Sequence, residues 1–174
     1  MPLAAVHGSM AGMRALSLIP AIALLLLAAP ASAQSYRGAA LAIDGDTILL
    51  QAMGHRDITA RILGIEAPGL DAAGGDGWFA RAALDEVLAT GGGTVTCQQY
   101  GDDQGQPLVH CMLDGGGQRD VGLAMVASGW AVPLRLYLRA NAGRIGGDLA
   151  ASYDKAERAA RRARKGRWAR MPGK

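Results

Sequence analysis

Two short stretches hold side chains that can act together. Leu41–Leu50 (LAIDGDTILL) carries Asp44 and Asp46, and Ala60–Gly69 (ARILGIEAPG) carries Arg61 and Glu66. Both have the aliphatic and β-branched content of strands, so they bring an Asp, an Arg and a Glu to one corner. Asp46 and Glu66 are the carboxylates so placed, one on each stretch. Asp44 either assists as a neighbouring acceptor or makes the turn with Gly45.

The elements that must position these groups are legible in outline. Tyr36–Ile43, Thr47–Gln51 and Ile58–Ile65 read as strands, with Asp44-Gly45 and Gly54-His55 as turns. A helix is expected from Gly77 to Ala89, with Asp76 as its N-cap and Gly91-Gly92-Gly93 as its stop. Gly93–Gln98 and Leu108–Leu113 form a further strand pair. Asp120 caps a short helix, Val121–Ser128, which Gly129 ends. A last helix, Asp148–Lys165, aligns Leu149, Tyr153, Ala156 and Ala160 before Gly166. Five strands with three helices predict an α+β protein built on a five-stranded OB-fold-type β-barrel.

The chain has 174 residues. Its first 33 read as a signal peptide: Arg14 precedes an apolar run, Ala15–Ala29, and Ala31-Ser32-Ala33 forms a small-residue cleavage site. That run is shorter than the ~20 apolar residues of a spanning helix. The expectation is therefore an exported protein, periplasmic or secreted, without a transmembrane segment after processing. Residues 34–152 are expected to form the barrel core with the first part of the last helix, and 153–174 its basic end and tail. The division follows charge, because Tyr153–Lys174 holds nine basic and two acidic residues. Arg158, Arg161, Arg162, Arg164, Lys165, Arg167, Arg170 and Lys174 read either as a solvated face or as an attraction for nucleic acid, another polyanion or an anionic membrane surface.

Cys97 and Cys111 lie on the proposed strand pair, and an even pair in an exported chain is expected to be a disulfide. Two buried thiols are the alternative. His110 points to the opposite face from Cys111, which makes a poor zinc site. His55 and His110 form no dyad and read as structural.

The ordered series Ala42-Ile43-Asp44-Gly45-Asp46-Thr47, Arg61–Pro68, Gly105, Val126-Ala127-Ser128-Gly129-Trp130-Ala131, Glu157, Gly166 and Trp168 resembles the thermonuclease (staphylococcal-nuclease-like) family, secreted calcium-dependent phosphodiesterases on a five-stranded barrel. The resemblance covers nearly all of Tyr36–Trp168. It implies that Asp46 is a calcium ligand, that Glu66 stands where the family has the shorter Asp, and that Ala67 contributes its backbone carbonyl. It also implies that Arg61 grips the scissile phosphate. Two departures are sharp. Gly69 stands where the family places the Glu that activates water, and Gln106 stands where it places a second Arg. Glycine accepts no proton and glutamine carries no charge. Gln104 and Asp103 also replace the aromatic and basic residues that help hold the nucleotide. Asp71, two positions beyond Gly69 in a Gly-rich loop, is a candidate substitute base; otherwise it solvates the loop or caps a helix.

The resemblance and its departures imply two readings. The chain is either a nuclease-like phosphodiester hydrolase of DNA or RNA, catalytically weak or inactive, or a noncatalytic OB-fold module for nucleic acid, another polyanion or an envelope protein partner.

Overall fold

The computed structural model describes residues 34–54, 56–115 and 119–171. The expected signal peptide, His55 and Lys174 lie outside them. Strand β1 (Ser35–Ala42) alternates exposed and buried residues along its whole length, as a strand packed on one face must. It pairs antiparallel with β2 (Thr47–Ala52), which pairs with β3 (Ile58–Ile62). The chain then leaves the barrel. β4 (Ile65–Glu66) pairs with β7 (Val132–Pro133) as a separate two-stranded ribbon. This corrects the expected continuous strand Ile58–Ile65. Gly64 turns at φ +74°, and Leu138 fills the space where a Cβ on it would lie, so the strand breaks there.

The barrel closes through β5 (Thr94–Asp103) and β6 (Gln106–Leu113) in the order β1-β2-β3-β6-β5. Four of its pairings are antiparallel, and β3–β6 is parallel. Ile48, Leu50, Ile62, Val95, Val109 and Leu113 are fully buried in its core. Cys97 and Cys111 are directly opposite in register and form a disulfide inside that core. Gly38 lets β1 approach β2 closely, since a Cβ there would meet the Gln51 carbonyl oxygen at 2.1 Å.

Three longer helices cover the barrel, as expected. In α1 (Asp76–Thr90), Ala80, Leu84 and Leu88 are buried. Its N-cap is Gly75, not Asp76: Asp76 is the first helical residue, and its carboxylate pairs with Arg170 at 2.8 Å instead of closing back on the helix. Helix α2 (Val121–Ser128) is capped as expected, with Asp120 Oδ1 accepting from the Leu123 N–H at 2.9 Å and Gly129 stopping it at φ +83°. Among the described residues there are three further α-helices. Two of them, α3 (Arg135–Ala140) and α4 (Ala142–Ile145), precede α5 (Asp148–Arg162), and α6 (Arg167–Arg170) follows it. Helix α5 stops three residues early, because Ala163 is its C-cap and Arg164 turns to φ +51°. Among the described residues no helix is long and apolar enough to cross a membrane.

Candidate functional site

The turn between β1 and β2 is built by its own side chains. Asp44 Oδ1 accepts from the Asp46 N–H at 3.0 Å, while the Ile43 N–H donates to the Thr47 carbonyl at 2.9 Å. Asp44 thus makes the turn, and it also lines the cleft beside Asp46. Gly45 packs into the same corner, where a Cβ would stand 2.6 Å from both Ala67 and Ala80. The turn therefore seats Asp46 against the start of the Ala67–Gly69 loop.

Asp46 is only 6% exposed. Its Oδ2 accepts from the Ala67 N–H at 2.9 Å and from Arg61 Nη2 at 3.4 Å, and its Oδ1 accepts from the Thr47 hydroxyl at 3.1 Å. Burial pushes its carboxyl above the ordinary carboxylate range, with the Asp44 charge adding to the shift. The Ala67 N–H and the Arg61 guanidinium oppose that shift without cancelling it.

Arg61 comes from β3, opposite Thr47 on β2 and Leu108 on β6. Glu66 comes from β4, outside the barrel, so three elements rather than two strands supply the charged groups. Gly69 is joined through its carbonyl to the Ala72 N–H at 2.9 Å. Asp44, Asp46, Arg61, Glu66, Ala67, Gly69 and Gln106 all line one open cleft of about 340 Å³. Seven residues singled out in the sequence thus converge, including both positions where the resemblance implies a missing group. Asp71 is exposed beside Gly69 but does not line the cleft.

The loop from Gly69 to Gly77 is more ordered than its composition suggests. It contains a 3-10 turn, Ala73–Gly75, and Gly77 is fitted against the Gly69 carbonyl, where a Cβ would come within 1.9 Å. Arg170 reaches back from α6 to donate to the Gly74 carbonyl at 2.8 Å and stacks over Phe79. Its pairing with Asp76 makes a third tie.

Several of the C-terminal arginines thus have structural partners. Arg161 pairs with the buried Glu157, which Arg135 also contacts, and lies 4.0 Å over Trp168. Arg158, Arg162, Arg164 and Lys165 are exposed and make no ion pair among the described residues.

Three features escaped the sequence reading. Asp103 Oδ2 lies 3.5 Å from Arg61 Nη1, because β5–β6 register places Asp103 opposite Gln106 at the end of the hairpin. Beyond it, a second cleft of about 290 Å³ shares Arg61 and is lined by Asp102, Asp103, Leu108, Leu134 and Tyr137. His110, away from the first cleft, also has a partner: its Nε2 lies 3.1 Å from Asp120 Oδ2, and the buried Tyr153 hydroxyl donates to Asp120 Oδ1 at 3.0 Å. Burial holds the Tyr153 phenol far above its ordinary pKa, so it stays neutral. These contacts tie β6, α2 and α5 together, a structural role.

The cleft's oxygen donors suit a hard cation in kind. In number they fall short, since the expected set, the Asp46 and Glu66 carboxylates with the Ala67 carbonyl, supplies fewer than the six to eight oxygens calcium takes. Among the described residues no group of three or more His, Cys, Asp or Glu side chains is placed to hold a metal ion. The set fits only a loosely held, mostly hydrated ion. No family model matches the chain, and no curated protein matches it.

Proposed function

We propose that this chain is an exported, thermonuclease-like domain whose phosphodiester-hydrolase centre is weak or inactive. The observation that carries the reading is the convergence of Asp46, Arg61, Glu66, Ala67, Gly69 and Gln106 on one cleft. Gly69 and Gln106 open onto the same space as the surviving charged groups. That is where loss of a base and loss of a cation would act on one substrate.

Phosphodiester hydrolysis needs a water deprotonated in line with the phosphorus and positive charge on the phosphoryl oxygens as they gain electron density. Arg61 supplies a planar fork for one face of the phosphate. Asp46, Glu66 and the Ala67 carbonyl would hold a calcium ion, whose contribution when bound is to shield developing charge. Gly69 leaves the attacking water without a base. Gln106 can donate a neutral hydrogen bond but brings no charge. Absence of either group lowers the rate on the order of a hundredfold.

Export is supported by the buried Cys97–Cys111 disulfide, since such bonds persist in oxidising compartments. A polyanion would be attracted through Arg158, Arg162, Arg164 and Lys165. The second reading is a noncatalytic module binding nucleic acid, another polyanion or an envelope protein; Asp103, a carboxylate set against the cleft's cation, weighs against catalysis in the cleft and leaves the basic C-terminal segment to attract a polyanion. Calcium titration followed by hydrolysis of single-stranded DNA separates the two. Slow, calcium-dependent cleavage lost in Arg61→Ala supports the hydrolase, and binding without cleavage supports the module. Rapid cleavage by the unaltered chain would overturn the weak-or-inactive reading.

A further inference from the structure

Among the described residues Arg61 is the one cation lining the first cleft, and both of its terminal nitrogens already face carboxylates. Nη2 stands 3.4 Å from Asp46 Oδ2, and Nη1 stands 3.5 Å from Asp103 Oδ2. A guanidinium grips phosphate most firmly by offering parallel N–H groups to two oxygens, so a phosphate must compete with these internal anions.

The two anions are held very differently. The Asp46 side chain is 8% exposed and is fixed by the Ala67 N–H and the Thr47 hydroxyl. The Asp103 side chain is 41% exposed and makes no other polar contact among the described residues. Its backbone, by contrast, is well placed. Gln104 and Gly105 turn at φ +52° and +85°, Asp102 Oδ1 accepts from the Gly105 N–H at 2.7 Å, and Asp103 pairs in register with Gln106. The hairpin delivers Asp103 to Arg61 but leaves its carboxylate free to rotate away.

We propose that Asp103 is a specificity-determining residue: an internal anion that occupies the outer nitrogen of Arg61 and must swing out before a phosphodiester can take its place. The proposal rests on the reading above that Arg61 faces phosphate. It gives the chain a second obstacle to phosphate binding, separate from the residues at 69 and 106. Because the Arg61–Asp103 pair is partly exposed and long, its effect is a modest factor.

The test measures binding without turnover. A fluorescent oligodeoxythymidylate is titrated with the full chain in calcium-free buffer at fixed ionic strength, and anisotropy gives the affinity. Asp103→Asn is expected to bind about three- to fivefold more tightly than the parent. Arg61→Ala should bind more weakly, and Arg61→Ala with Asp103→Asn should bind no better than Arg61→Ala alone. An unchanged affinity in Asp103→Asn would overturn the proposal. So would an equal gain in the Arg61→Ala background, which would assign the effect to net charge. If Arg61→Ala binds as well as the parent, or neither the parent nor Asp103→Asn binds, the phosphate-site reading itself fails.

Discussion

Asp71 Oδ1 lies 2.8 Å from the point where a Cβ on Gly69 would begin. The carboxylate therefore borders the start of the path that a longer side chain at position 69 would follow. It is exposed and belongs to a short polar side chain, so it can yield to an incoming group.

That relationship shapes the repair of the cleft. Gly69 is not among the glycines with positive φ, so its backbone tolerates a side chain. Gly69→Glu with Gln106→Arg is expected to raise calcium-dependent hydrolysis of single-stranded DNA by on the order of a hundredfold or more. Each single change should recover far less, because water activation and charge stabilisation serve one step. Adding Asp71→Ala should help or be neutral. Collapse of activity on that addition would instead identify Asp71 as a base, and a folded double variant with no gain would favour the binding module.

Calcium binding is expected to be weak, with a dissociation constant on the order of 10⁻³ M. Titration calorimetry should detect heat in the parent and none in Asp46→Ala. Glu66→Asp should tighten binding if the longer side chain misplaces its oxygens. Heat unchanged in Asp46→Ala would remove Asp46 from the site.

The disulfide links residues 14 apart in sequence across β5 and β6. Closing a loop of that size stabilises a domain by about 3 kcal/mol. Guanidinium unfolding of oxidised and reduced protein should differ by roughly that amount. Thiol labelling after non-reducing denaturation should find neither cysteine free.

Asp114 provides the pH dependence. Hydrogen bonds from the Thr96 hydroxyl and Arg37 Nε, both at 2.8 Å, hold its carboxyl below the ordinary carboxylate value. A depressed folded-state pKa contributes stability that is present above the unfolded value, near 4, and is lost as pH falls through the folded value. Asp114→Asn should therefore lower the melting temperature at pH 7. The two melting curves should converge in acid, below both values. A gap that persists unchanged at pH 2 would assign the effect to packing rather than ionisation.

The strands and helices of the barrel were legible from local sequence because their causes are local. Alternating burial marks β1, the glycines after Thr90 stop α1, and Asp120 and Gly129 bracket α2. The charged residues of the cleft were legible as types and positions, and so were Gly69 and Gln106 as the two positions where the resemblance implies other residues. Other features depend on contacts between distant parts of the chain. Leu138 packing at Gly64 breaks the strand carrying Arg61 before it reaches Glu66, and Arg170 draws Asp76 away from capping and orders the glycine-rich loop. Barrel closure sets Asp103 beside Arg61, 42 positions earlier in the chain. A sequence states which charges exist. Only the closed barrel decides which of them neutralise each other, because that depends on distance through space.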